Sequence, residues 1–305
     1  MDTDFVPAYL RLPPGELATR ARRALAHLQR CSLCARGCHV NRLLTTRGAI
    51  CRTGRQARVH SWGPHQGEER PLSGRRGSGT IFFSWCNLNC VFCQNWSISR
   101  RGEGTEVSTA ELATMMLELQ GRGCHNLNLV SPSHVVPQIL DALALAAAQG
   151  LRLPVVYNSG GYDSPQALAL LAGVVDIYLA DMKFADSQIA RPLVGVGDYA
   201  EVNQTAVRQM HRQVGDLVLD RTGIARRGLL VRHLVLPGNL AGTDRILEFL
   251  AREISPATYL NLMDQYRPCY RAEEFPPLDR SPSRAEYRQA LATAHRLGLN
   301  RLDRP

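Results

Sequence analysis

Cys86, Cys90 and Cys93 stand in the pattern Cys-x3-Cys-x2-Cys directly after the apolar run Ile81-Phe82-Phe83. Thiolates are the ligands that iron–sulfur clusters take, and three of them on one tight loop can face a common centre. A cubane needs four ligands, so three local thiolates leave one iron with an open position. Open coordination is what separates a catalytic metal site from a closed structural one. A structural zinc site or a ferredoxin-type cluster would want a fourth cysteine nearby, and none follows before Cys124. Asn87 and Asn89 are expected to take the left-handed backbone that wraps a loop around a cluster.

Another set lies upstream: Cys31-x2-Cys34-x3-Cys38, then Cys51, with Arg36, Arg42, Arg47 and Arg52 between and around them. Four thiolates make a closed shell suited to zinc and equally to a second iron–sulfur cluster, and the spacing also admits free thiols. The chain has nine cysteines. Seven fall in these two sets, which points to metal ligation in a reducing compartment rather than to a disulfide framework. Cys124 precedes a predicted strand and reads as core packing. Cys269 follows the last predicted strand, where a thiol could return a hydrogen atom to a carbon radical.

These residues need a scaffold. Short apolar runs predict strands over 81–83, 126–130, 154–158, 175–180, 229–236 and 259–263. Helical periodicity falls between them, near 137–149, 165–172, 199–213, 244–254 and 285–297. Ser108 and Glu111 form a capping-box pattern ahead of Leu112, Met115, Met116 and Leu119, and Asp198 with Glu201 suggests a second. Alternating strands and helices argue for an α/β fold with a parallel sheet curled into a barrel, with six strands instead of eight. In such a barrel chemistry sits just beyond the C-terminal strand ends. Those ends carry Ser131-Pro132-Ser133-His134, Asn158-Ser159-Gly160-Gly161, Asp181-Met182-Lys183, Pro237-Gly238-Asn239 and Asp264-Gln265-Tyr266-Arg267. Residues 1–75, with an amphipathic helix over 16–29, are expected to form a cysteine-rich extension and residues 76–305 the barrel. The stretch 61–78, rich in Gly, Pro and charge, reads as a linker.

Lys and Arg number 36 and Asp and Glu 27, so the net charge is 36 − 27 = +9. A basic face can dock an acidic electron donor such as flavodoxin or ferredoxin. A nucleic-acid-binding or zinc-binding protein without enzymatic activity is the remote alternative, since aromatic interleaving is sparse and no helix-turn-helix or zinc-finger spacing occurs. The start, Met1 to Asp4, is acidic and lacks the features of a signal peptide, and the most apolar helical stretch, 139–148, is too short to cross a bilayer. A cytoplasmic protein is expected.

Cys86-x3-Cys90-x2-Cys93, with aromatic Phe92 before the last cysteine, resembles the signature of the radical S-adenosylmethionine (SAM) enzymes. The resemblance implies a partial (β/α)6 TIM-like barrel, a 4Fe-4S cluster whose open iron chelates SAM, and Phe92 beside the adenine. It also implies reductive cleavage of SAM to a 5′-deoxyadenosyl radical that abstracts a hydrogen atom from a substrate. Where the family commonly has a Gly-Gly-Glu-Pro-like turn, this chain has Ser131, Pro132, Ser133 and His134, so hydroxyls and carbonyls would replace a carboxylate as acceptors for SAM's amino group. Asn158 and Ser159 would meet the ribose or methionine part, and Asp181 and Lys183 would pair in the mouth. The motif order over residues 80–268, with the N-terminal cysteines, resembles the PflX-like branch, homologues of the pyruvate formate-lyase activating enzyme. Two substrates follow from the resemblance. One is a small molecule, as in a sugar epimerase with Cys269 as hydrogen-atom donor. The other is the backbone of a glycyl radical enzyme, as in an activase.

Overall fold

The strands that carry the site are apolar on both faces, as parallel strands covered by helices must be. In the computed structural model, which describes residues 5–303, they are β1 (Ala57–His65), β2 (Ser78–Phe83), β3 (Thr105–Val107), β4 (Leu127–Val130), β5 (Val155–Ser159), β6 (Ile177–Asp181), β7 (Val218–Leu219), β8 (Ala225–Leu234) and β9 (Tyr259–Met263). The six strands β2-β4-β5-β6-β8-β9 pair in parallel in that order, each register a single unbroken run. They are the six expected from the sequence, and the sheet stays open as a partial barrel. The reading of Met1 to Asp4 lies outside the described residues.

Helices α1 (Glu16–Ala26), α2 (Arg70–Ser73), α3 (Trp96–Arg101), α4 (Thr109–Gly121), α5 (Val136–Ala148), α6 (Pro165–Leu171), α7 (Ser187–Val194), α8 (Tyr199–Val214), α9 (Thr243–Phe249) and α10 (Arg284–Arg296) complete the chain. Side chains of opposite parity face opposite ways on a strand. Leu127, Leu129, Val155, Tyr157, Tyr178, Ala180, Leu229, Val231, Leu260 and Leu262 are buried in one large core with residues of α1, α4, α5, α8 and α10. Their neighbours, Asn128, Val156, Asn158, Ile177, Leu179, Leu230 and Arg232, therefore face the barrel interior.

Two readings are corrected by the tertiary structure. The stretch 61–78 is no linker: β1 pairs antiparallel with β2 from Val59↔Phe83 to His65↔Ser78, and α2 follows. Gly63 and Pro64 concealed the strand. They fall beyond the short partner β3, which covers only Ala57 to Val59, so the missing N–H of Pro64 breaks no second ladder. Asp198 and Glu201 do not form a capping box; Asp198 accepts a hydrogen bond from the Tyr162 hydroxyl at 2.6 Å, and Glu201 accepts one from Ser187. The Ser108–Glu111 box is formed, Oγ accepting from Glu111 N at 3.2 Å and the carboxylate from Ser108 N at 2.7 Å. Helix α7 is absent from the sequence reading because it is short and contains Pro192; the Asp186 side chain caps it.

Among the described residues no helix is long and apolar enough to cross a membrane.

Candidate active site

The cluster loop leaves β2 through Ser84, whose hydroxyl donates to Glu103 O at 2.6 Å, and turns at Trp85, the residue with left-handed backbone (φ 65°). The turn falls at Trp85 rather than at Asn87 or Asn89, which are not left-handed. Gly102 makes the turn possible: a Cβ there would lie 2.2 Å from the Trp85 ring. Asn87 serves as a strut instead, its amide donating to Tyr162 O at 2.7 Å and its carbonyl accepting from Arg36 Nε at 2.7 Å.

Apolar residues alternate with the cysteines. Leu88, Val91 and Phe92 are buried in a core with Tyr162, Phe184, Tyr199 and Tyr266, so the loop is anchored by what lies between its ligands. Asn89 N and Val91 N donate to the last carbonyls of α7, Val194 O at 2.8 Å and Leu193 O at 2.9 Å. Phe92 sits edge-on to Phe184 and Tyr266, with ring centroids 5.9 and 6.2 Å away.

The three thiols lie within electrostatic reach of one another. Desolvation pushes Cys86 up to about 11 and Cys90 up to about 12, and the nearby Lys183 ammonium opposes it at both. Bare thiols so placed keep their protons at neutral pH, and metal binding would release them. Three neighbouring thiols on one loop, with a cation at the rim and an apolar bed beneath, fit a cubane that retains one free iron position.

Asp181 and Lys183 meet at the end of β6, carboxylate to ammonium at 2.5 Å. Burial works against the ammonium, but Asp181 and Cys90 more than offset it, and the Lys183 pKa is raised. Asn158 faces inward and receives the Arg232 guanidinium at 3.5 Å. Other expected site residues point into the scaffold. The Ser159 hydroxyl donates to Asp163 at 2.7 Å and accepts from Gly161 N, and the Tyr157 hydroxyl donates to the same carboxylate at 2.8 Å, with buried Ser133 nearby. Ser131 is left-handed at φ 58° and its N–H donates to Asn158 O at 2.9 Å. His134 lies 2.9 Å from Ser84 O through Nε2; burial and then Arg42 lower its pKa to about 3, so the ring is neutral and Nε2 carries the proton. Cys269 donates to Phe92 O at 3.2 Å, and Arg271 N to Val91 O at 2.9 Å, so the segment after β9 lies along the cluster loop.

Glu68, Glu69, Arg232 and Asn261 escaped the sequence reading. The strap joining β1 to β2 brings two glutamates inside the barrel. Glu69 accepts from Arg232 Nε at 2.5 Å and from Asn261 Nδ2 at 2.8 Å, and Arg232 also donates to Glu68. Burial raises the Glu69 pKa, but Arg232 and Asn261 overcome this and hold it below the usual value. Leu72, fully buried, packs with Val156, Ile177, Leu179 and Leu230, so α2 plugs the barrel interior. One signal was available: Leu230 and Arg232 share parity on β8, which puts the arginine on the inner face.

The sequence model of the radical SAM superfamily matches residues 80–219, the span from β2 to β7 that carries the cluster loop. A Methanocaldococcus jannaschii protein, MJ0674, is 30% identical over 295 residues, covering 94% of this chain and 80% of its own. The chain belongs to the radical SAM superfamily. Two solved structures are similar to it at a lower level. HydG, a maturase of the [FeFe]-hydrogenase, is 13% identical with TM-score 0.49, over 72% of this chain and 48% of HydG. A radical SAM methyltransferase from Sphaerobacter thermophilus is 14% identical with TM-score 0.47, over 72% of this chain and 64% of its own. The chain thus spans about half the length of HydG. As a member of this superfamily the protein is an enzyme that uses a 4Fe-4S cluster and SAM.

Proposed function

We propose that this radical SAM enzyme abstracts a hydrogen atom from a small polar molecule held inside the barrel. The charged interior carries this reading: Glu68 and Glu69 of the strap gather on Arg232 and Asn261. A peptide backbone approaching from outside, as an activase requires, has no use for such a group. A small polar substrate does, because buried charged donors and acceptors discriminate strongly for a partner that satisfies them.

With the cluster and SAM bound, reductive cleavage supplies a 5′-deoxyadenosyl radical. The chain's own residues position and enclose: Cys86, Cys90 and Cys93 hold the cluster, Phe92 backs the adenine, and Asn158, Asp181 and Lys183 bind the polar end of SAM. Ser131, Ser133 and His134 shape the turn after β4. The aromatic bed of Phe184, Tyr199 and Tyr266 keeps water from the reacting centre. Cys269 is the one remaining thiol at the mouth and serves as hydrogen-atom donor in an epimerase-type outcome. The reductant is an acidic flavodoxin or ferredoxin, attracted by the +9 chain.

The test uses the full chain, reconstituted anaerobically with iron and sulfide, reduced, and given SAM. A small-molecule fraction of a cell extract should stimulate 5′-deoxyadenosine release by wild type, and far less by Arg232→Met. Cys86→Ala/Cys90→Ala/Cys93→Ala should release none. Stimulation by the protein fraction alone, with a glycyl radical signal in EPR, would establish the activase instead.

A further inference from the structure

Arg42 is buried, 3% exposed, and every partner of its guanidinium is a carbonyl or a sulfur. It donates to Thr53 O at 2.6 Å, His134 O at 2.8 Å and Gly54 O at 3.3 Å, and its Nη1 lies 3.5 Å from Cys31 Sγ. Among the described residues no carboxylate pairs with it, nor with Arg36, whose buried Nη2 has no partner. A guanidinium is always charged, and a buried charge without a counter-charge is costly. The missing anion has one evident source. Cys31, Cys34 and Cys51 are buried and Cys38 half-buried, Cys34 and Cys51 each lie near the other three thiols, and Cys38 Sγ lies 4.0 Å from Cys31 O.

We propose that Cys31, Cys34, Cys38 and Cys51 hold a second iron–sulfur cluster whose net negative charge neutralises Arg42 and Arg36. Four thiolates around a cubane leave the assembly anionic, and cationic hydrogen-bond donors beside the sulfurs stabilise it. A zinc ion held by the same four thiolates would also be anionic, so the metal content of the loaded chain decides between the two.

The site is coupled to the active site. Arg36 Nε reaches Asn87 O in the catalytic loop, Arg42 reaches the carbonyl of His134, and the His134 ring reaches Ser84 O, two residues before Cys86. The Ser164 hydroxyl donates to Leu33 O at 2.8 Å, and Cys34 forms a bridge with Asp163, tying the extension to the loop after β5. Filling this site therefore braces the loops that position the catalytic cluster.

The full chain carrying Cys86→Ala, Cys90→Ala and Cys93→Ala, reconstituted anaerobically with iron and sulfide, provides the test. It should keep about four irons and four sulfides per chain, against about eight of each in wild type. On reduction it should show an iron–sulfur EPR signal unmoved by SAM. Arg42→Gln in the same background removes a positive charge beside the sulfurs and should shift the midpoint potential to a more negative value. A triple variant that binds no iron, whether or not it carries one zinc per chain, would overturn the cluster. An unchanged potential in Arg42→Gln would overturn the charge pairing. Both measurements are independent of the proposed substrate, since neither variant has the catalytic cluster.

Discussion

Replacing Glu69 by alanine would leave the Arg232 guanidinium inside the barrel with Glu68 as its remaining anion, and Asn261 without its acceptor. Glu69 is fully buried, and Arg232 is 19% exposed. Removing one partner of a buried ion pair costs roughly 3–5 kcal/mol. Because Glu68 still neutralises Arg232, the lower end applies, about 3 kcal/mol, and the lost Asn261 hydrogen bond adds about 1 kcal/mol. A loss of about 4 kcal/mol is large against the roughly 5–15 kcal/mol that stabilises a folded protein. Urea denaturation should show it as a lower midpoint with an unchanged slope. Glu68→Gln/Glu69→Ala/Arg232→Met should recover part of the loss, since no charge of the Arg232 cluster is then stranded. The pH dependence has a definite sign. The folded pKa of Glu69 lies below the ordinary 4.5, so its stabilisation is present above that pH and is lost as pH falls through the folded value. The gap between wild type and Glu69→Ala should therefore be full at pH 7 and narrow in acid. A loss below about 1 kcal/mol at pH 7, or a gap independent of pH, would show that the strap does not bind Arg232 as described.

Other outcomes follow from the same geometry. His134 and His233 are held neutral mainly by burial, with pKa lowered to about 3 and about 4 from 6.5. Unfolded chains take up these protons first, so stability should fall as pH drops below about 6.5, by about 1.4 kcal/mol per pH unit for each ring. His233→Gln should make that slope shallower in urea titrations at stepped pH. Gly102→Ala combines φ 68° with a Cβ 2.2 Å from Trp85, and should cost about 2 kcal/mol or more and lower iron retention by the catalytic loop. Cys269→Ala, assayed in D2O with a turned-over substrate, should consume substrate but lose solvent deuterium in the product; undiminished incorporation would remove Cys269 as donor.

Local sequence determined much of this protein. The three cysteines, the six parallel strands and the capping box at Ser108 depend on residues close together in the chain, where spacing and periodicity translate directly into geometry. The pairing of Asp181 with Lys183 was equally legible, because a strand end places residues two apart on one side. Tertiary contacts decided the rest. The Ser159 hydroxyl donates to Asp163, which stands on a loop that sequence alone could not orient. The second capping pattern failed because Tyr162 and Ser187 offered Asp198 and Glu201 better partners. Glu68 and Glu69 looked like solvated linker charges. Only the folding of residues 57–73 onto β2 and into the barrel brings them to Arg232, 163 residues from Glu69 in the chain. Burial converts those surface-like residues into the charged centre of the interior, because an ion pair screened in water becomes strong once the barrel excludes solvent.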